Sequence, residues 1–274
     1  MLLWSVLAIS VVIAVFSAIA AGAVWVLPVA FLGSFLTLAA LAFGFLWLMC
    51  VLVRQDVPQE KDSPFYRRMA HLYIDSVVRI LRVTVHKKGL ERTPKDGRFL
   101  LVCNHLSNAD PVLLLDNFRH SQLAFITKRE NCSMFIVGPL MHKILCQPIN
   151  RENDREALKT ILTCIRLLKE DMASIAVFPE GYCSADGKLR RFRSGVFKIA
   201  LKTNVPIVVC TLKNTIEALD DALKGKPSQV WLNLVDVIQP EQYAGMTTVQ
   251  LADMVYQMMA KDLGPELVYT EQNT

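Results

Sequence analysis

The sequence predicts an α/β fold with a mostly parallel central sheet flanked by helices, preceded by an apolar two-helix hairpin. Two observations carry it. The 274-residue chain has no Asp, Glu, Lys or Arg before Arg54, so all its charged side chains lie in the remaining four-fifths. Beyond that point, short apolar runs alternate with stretches of helical periodicity, the pattern of strands connected through crossover helices.

The uncharged start reads as two apolar stretches, Leu2 to Val26 and Val29 to Val53, meeting at Leu27-Pro28. Each satisfies the ~20-residue requirement for a membrane-spanning helix. A cleavable signal peptide has a basic start and one short apolar core, and this segment has neither. A hairpin that crosses the bilayer and one embedded in a single leaflet fit the sequence equally, since both return the chain to the side it left. Arg54, Lys61, Arg67 and Arg68 follow at once, and positive charge at a membrane exit favours the cytoplasmic face. The expected location is therefore the cell membrane, with the globular domain facing the cytoplasm. The expected organisation is a hydrophobic hairpin over 1–53, a juxtamembrane amphipathic helix over 54–82, a globular domain over 83–265 and a tail over 266–274.

From Pro64 to Arg82, Phe65, Met69, Leu72, Val77, Val78 and Leu81 recur near helical spacing with arginines between them. A helix lying on the membrane and a helix packed on the domain account for this equally. Strands are expected at Val83–His86, Arg98–Cys103, Leu123–Thr127, Gln147–Asn150, Ser174–Phe178 and Pro206–Leu212, with a further one at Gln229–Val237. Helices are expected at Pro111–Phe118, Phe135–Leu145, Asp154–Glu170, Ser194–Thr203 and Thr247–Leu263. The net charge of +5 is modest and no Lys/Arg stripe is interleaved with aromatics, so nucleic acid is not an expected partner. An anionic lipid surface fits better. The seven cysteines show no C-x-x-C and no Cys/His pair at metal spacing, so free thiols in a reduced compartment and no metal are expected.

Chemistry is suggested first by Asn104-His105-Leu106-Ser107-Asn108-Ala109-Asp110-Pro111, which ends a strand and opens a helix. It holds His105 and Asp110 in one turn. A carboxylate on one imidazole nitrogen fixes the tautomer and leaves the other as a base for a hydroxyl. Asp110 before Pro111 also reads as a helix start, and His105 as a bonded loop residue. Placement at the carboxyl end of a strand, where sites of open α/β folds gather, favours the functional reading. Phe178-Pro179-Glu180-Gly181 ends another strand, Asn150-Arg151 a third, and Val205-Pro206-Ile207-Val208-Val209 is an apolar strand suited to the core. Arginine offers a donor fork suited to phosphate.

In this order the four segments resemble the glycerolipid acyltransferase family typified by 1-acylglycerol-3-phosphate acyltransferases. The resemblance covers about Asn104 to Cys210. The family's H-x-x-x-x-D falls on His105 and Asp110, its arginine block on Arg151, its F-P-E-G on Phe178 to Gly181, and its apolar-proline block on Val205 to Val209. Phe192 to Lys198 resembles the family's basic, glycine-containing segment after F-P-E-G. Two departures are visible: Tyr182-Cys183-Ser184 stands where the family has Thr-Arg-Ser, and Val209 stands where it has a proline. They bear on the identity of the acceptor more than on the chemistry.

The resemblance implies acyl transfer from an acyl-coenzyme A or acyl carrier protein thioester to the free hydroxyl of 1-acylglycerol-3-phosphate, with no bound cofactor. His105 would be the base and Asp110 its orienting carboxylate, the hydroxyl attacking the thioester directly without an acyl-enzyme. Arg151 would bind the acceptor phosphate, and Glu180 with Gly181 would complete the acceptor pocket. Lys128 and Arg129 are further candidates for a phosphate of the acceptor or of coenzyme A. Cys103 is the only cysteine near His105 in sequence and is expected in the core. An acyltransferase for another lysolipid and a catalytically idle lipid-binding protein are the alternatives. The absence of G-x-S-x-G argues against an esterase.

Overall fold

The computed structural model describes residues 1–184 and 186–269. A seven-stranded sheet, ordered β1-β7-β6-β2-β5-β3-β4, occupies its centre. The strands are β1 (Val83–Lys88), β2 (Leu100–Cys103), β3 (Leu123–Lys128), β4 (Gln147–Ile149), β5 (Ser174–Val177), β6 (Ile207–Lys213) and β7 (Ser228–Ile238). β6, β2, β5, β3 and β4 run parallel. β7 is antiparallel to β6 and parallel to β1, so one end of the sheet is reversed.

The helices are α1 (Leu2–Ala21), α2 (Val26–Val51), α3 (Pro64–Ile80), α4 (Asp110–Asn117), α5 (Val137–Lys143), α6 (Asp154–Lys169), α7 (Lys198–Thr203), α8 (Thr215–Leu223) and α9 (Thr248–Leu263). Alternation along β2 shows how both sheet faces are covered, because successive strand residues point to opposite sides. Leu100 and Val102 pack with Leu167 of α6, Ala200 of α7 and Val255 of α9. Leu101 and Cys103 pack with Ala70 of α3, Leu114 of α4 and Ala218 of α8. Cys103 is thus a core side chain.

Several expected bounds shift. The helix expected over Ser194–Thr203 is a 3-10 turn, Ser194–Phe197, continued by α7. Helix α8 was not among the expected elements. Residues 266–269, expected as the start of a tail, are held: Val268 pairs with Leu189, and Tyr269 N donates to Leu189 O at 3.1 Å. The rest of the expected tail, 270–274, lies outside the described residues.

Helices α1 and α2 are each long and apolar enough to cross a bilayer, and almost none of their most apolar residues are covered by protein. Water would exact the full hydrophobic cost for such surfaces, so the two helices suggest membrane association. Helix α3 joins them to the domain. Ser63 caps it through Tyr66 N and Pro64 opens it. Tyr66 and Tyr73 hydroxyls donate to the carbonyls of Met49 (3.0 Å) and Ala42 (2.5 Å) on α2. Ala70 enters the same core as β2. Arg67 departs from its expected role as an exposed charge at the membrane exit. It is buried, paired with Asp62 at 2.6 Å, and donates to Leu123 O and Ile144 O. A buried guanidinium persists where a carboxylate and carbonyls together replace its water.

Candidate functional site

The site begins where β2 ends. Asn104 is buried, and its side-chain amide donates to Leu212 O (2.9 Å) and accepts from Leu212 N (2.7 Å). The side chain thereby continues the ladder to β6 for one more rung while the main chain turns away. That turn carries His105 out of the sheet. Asp110, wholly buried at the first turn of α4, folds back over it. Its Oδ2 lies 2.9 Å from His105 Nδ1 and accepts from Leu106 N (2.6 Å) and Ser107 N (2.8 Å), and Oδ1 accepts from Ser107 Oγ. Asp110 is therefore both a helix-start residue and an imidazole partner. Its bonds to the preceding turn fix the carboxylate that orients the ring.

The His105 ring stacks on Phe178 at 4.1 Å between centroids and is mostly buried. Phe178 directly follows β5, the neighbour of β2, so sheet order brings the second segment against the first. The other ring nitrogen, Nε2, faces Cys183 Sγ at 3.1 Å. Cys103, nearest in sequence, lies in the core as expected, and the cysteine at the imidazole comes from 78 residues away. Its only sequence signal is its place two residues past F-P-E-G, where the resembling family has arginine.

Glu180 differs from the expected acceptor-pocket residue. It is 1% exposed, and its two oxygens accept from His105 N and Arg190 N, each at 2.8 Å. A carboxylate so engaged braces two loops instead of facing a substrate. Gly181 has φ of +85°, in the left-handed region open to glycine, and a Cβ there would stand 3.1 Å from Arg193 Nε. The glycine makes room for that guanidinium. Arg151, just beyond β4, is half-buried, and burial together with the positive charge of Arg193 lowers its pKa. No ion pair of Arg151 or Arg193 is found among the described residues. A half-buried guanidinium with the exposed Arg193 acting on it and no ion pair favours an anion, with Glu130 the carboxylate that also acts on it. Arg193 lies in the basic, glycine-containing segment Phe192 to Lys198 and had been given no role of its own. Lys128 and Arg129 share this end of the sheet, with Arg129 3.8 Å from Glu156 on α6. A surface cavity lined by Lys61, Arg98 and Gln122 opens at the opposite, amino end of the strands.

Burial disfavours the charged form of His105, but its bonds to Asp110 and Cys183 outweigh this and raise the pKa to about 9. Burial pushes Glu180 up to about 7 against the pull of its two amide donors. Both values exceed the ordinary ones of 6.5 and 4.5, so the folded state holds extra protons. The stability contributed by Glu180 is full below 4.5 and is lost as pH rises through 7; that of His105 is full below 6.5 and is lost through 9. The melting temperature of the detergent-purified protein should fall as pH rises from 6.5 to about 9, and His105→Ala should flatten that fall. Below 6.5 the trend is balanced, because burial lowers the His71 pKa to about 4 and that shift adds stability as pH rises, so Glu180→Gln should leave a rise there. A wild-type melting temperature that rises with pH between 6.5 and 9 would contradict the His105 assignment.

A family model described as Acyltransferase matches residues 82–213, a span that contains every one of these segments. Over that span the chain is similar to this acyltransferase family. It is 32% identical over 212 residues to a 1-acyl-sn-glycerol-3-phosphate acyltransferase of Chlamydomonas reinhardtii, covering 74% of this chain and 61% of that protein. It is 32% identical over 165 residues to a chloroplastic 1-acyl-sn-glycerol-3-phosphate acyltransferase of Arabidopsis thaliana, covering 58% and 46%. The chain thus spans about half to three-fifths of the length of these curated relatives. The crystal structure of the 1-acyl-sn-glycerophosphate acyltransferase PlsC from Thermotoga maritima superposes with a TM-score of 0.61 at 24% identity, over 84% of this chain and 90% of that one. That likeness shows the shared α/β acyltransferase fold.

Proposed function

We propose that this protein transfers a fatty acyl group from an acyl thioester to the free hydroxyl of 1-acylglycerol-3-phosphate, giving phosphatidic acid at a membrane surface. The observation that carries the reading is the His105 imidazole, bonded through Nδ1 to buried Asp110 at the carboxyl end of the sheet. With that nitrogen engaged, Nε2 of the neutral imidazole is the base for the acceptor hydroxyl, a form that gains population as pH rises toward about 9. Arg151 and Arg193 supply a place for the acceptor phosphate, because a doubly charged anion offsets their mutual repulsion and accepts from both forks. Relatives named for this reaction support the acceptor. Acyl-coenzyme A or acyl carrier protein would deliver the chain, and Lys128 remains exposed at the same sheet end for a donor phosphate.

The hairpin fits a reaction whose acceptor and product are lipids. Met134 and Phe135 are exposed beside Ile136, whose carbonyl meets Cys50 near the hairpin exit. Apolar side chains at that level suit the headgroup region. The cationic flank of Arg54, Lys61 and Arg68 supports a cell-membrane enzyme with its catalytic domain on the cytoplasmic side. One observation favours a second acceptor, another lysolipid: Cys183 stands where the resembling family places an arginine, so one phosphate-binding group is missing.

Release of coenzyme A thiol by the purified protein with acyl-coenzyme A, tested with lysophosphatidic acid and with lysophosphatidylcholine or lysophosphatidylglycerol, separates the acceptors. Acceptor-dependent product with lysophosphatidic acid supports the reading, and product with only another lysolipid overturns it. Arg151→Ala should raise KM for lysophosphatidic acid by roughly 10- to 100-fold, the size of a lost charge-assisted hydrogen bond. Arg151→Lys, which keeps the charge and loses the fork, should fall between. An unchanged KM in both variants would remove Arg151 from the phosphate site.

A further inference from the structure

The loop after β5 is tied down by a segment far along the chain. Beyond α9 the backbone turns at Gly264, whose φ is +89°, and one 3-10 turn, Pro265–Leu267, brings Val268 and Tyr269 against Leu189. Leu189 N donates to Leu267 O at 2.8 Å, and Tyr269 N donates to Leu189 O at 3.1 Å. Leu189 is wholly buried in the core cluster shared by α6, α7 and α9, so this tie is anchored. The next residue, Arg190, lies with its guanidinium 3.7 Å from the centre of the Tyr269 ring, and its Nη2 is 2.7 Å from Asp186 Oδ2. A guanidinium over an aromatic face is attracted by the ring's negative face, so the ring holds Arg190 in place. From Arg190 the connection runs inward through the main chain. Arg190 N donates to Glu180 Oε2, and Glu180 Oε1 accepts from His105 N, each at 2.8 Å.

We propose that Tyr269 is a positioning residue: by clasping Arg190 it keeps the Arg190 amide on Glu180 and, through that carboxylate, holds the turn that carries His105. The role rests on the acyltransferase reading above. The carboxylate of Glu180 is buried, and a buried acceptor that loses a donor pays the cost of its desolvation. If Arg190 drifts, the carboxylate must turn to find another partner, and the His105 amide loses its fixed one. Displacing a reacting group by ~1 Å costs up to about 10²-fold in rate, so the consequence falls on the chemical step. Acceptor binding should be spared. Arg151 stands beyond β4, outside this connection, and Arg193 has a tie of its own, its N donating to Pro179 O at 2.9 Å.

The test compares detergent-purified full-length protein with Tyr269→Ala, Tyr269→Phe, Arg190→Met and the double variant Tyr269→Ala/Arg190→Met in two assays. Hydrogen exchange of the peptide containing His105 is followed by mass spectrometry without substrate. In parallel, kcat and KM are measured for lysophosphatidic acid and for lysophosphatidylglycerol, with oleoyl-coenzyme A or oleoyl-acyl carrier protein, whichever the wild type uses. Tyr269→Ala should speed exchange in the His105 peptide and lower kcat by roughly 10-fold, with KM for the acceptor within about 2-fold of wild type. Tyr269→Phe keeps the ring face and should restore both readouts. The double variant should be no worse than either single one, because the two side chains act through one contact. Tyr269→Ala protein with wild-type kcat overturns the proposal and leaves the transferase reading intact. So does a slower Tyr269→Ala variant whose His105 peptide exchanges at the wild-type rate, or one that Tyr269→Phe fails to restore. The expected changes in exchange and kcat, seen with turnover of lysophosphatidylglycerol alone, support the clasp and overturn the lysophosphatidic acid reading.

Discussion

His105→Ala should reduce acyl transfer on the order of 10³-fold, within the range expected for a lost general base. The residue's ring is the meeting point of three contacts: the carboxylate of Asp110, the face of Phe178 and the thiol of Cys183. Alanine removes all three side-chain contacts but keeps the backbone amide that donates to Glu180, so the turn itself should survive. Circular dichroism should match the wild type while product formation is lost. Asp110→Asn should be a milder lesion for the chemistry and a worse one for the fold. An amide can present its oxygen to Leu106 N and Ser107 N, but it no longer stabilises an imidazolium. If His105→Ala protein turned over at the wild-type rate, the base would have to be sought elsewhere.

The second large effect falls on stability. Asn104→Leu should destabilise the protein by about 2–6 kcal/mol, because it strands both the N–H and the C=O of Leu212 in the sheet interior at ~1–3 kcal/mol each. For a domain with a total of ~5–15 kcal/mol that is a large share. Leucine is close to asparagine in size, so the lost hydrogen bonds dominate over any cavity. Denaturant titration in detergent would give the difference, and a shift below about 1 kcal/mol would show that Asn104 is not the rung that closes the ladder. Asn104→Asp should also harm the fold, since a carboxylate can accept from Leu212 N but offers nothing to Leu212 O.

What could be read along the sequence follows how local each feature is. The pairing of His105 with Asp110 spans five residues and is built by one turn, so motif spacing carried it. The alternation of buried strands and amphipathic helices carried the layer architecture in the same way. The approach of Cys183 to His105 depends on β5 lying beside β2 in the sheet, and no periodicity encodes that adjacency. The same holds for Arg193 against Gly181, and for β7, whose apolar alternation reads alike in either direction and so hid its antiparallel sense. Arg67 misled for a different reason. A cation next to an apolar hairpin looks like a membrane-exit charge until Asp62 and two carbonyls are seen to enclose it. Glu180 looked like a substrate ligand because its loop is at the right end of the sheet, yet its oxygens were already taken by amides.

The Glu180 brace also bears on traffic through the enzyme. One carboxylate holds the amides of His105 and Arg190, and Ser184 adds a bond back to His105. The loop after β5 and the turn after β2 are therefore stitched at both ends of the reactive group, leaving neither free to swing as a hinged cover without breaking buried hydrogen bonds. For the proposed reaction, turnover would then not be timed by a closing loop. Its tempo would be set by lipids sliding in from the bilayer, by the chemistry, and by a diacyl product drifting back into the leaflet that supplied its precursor.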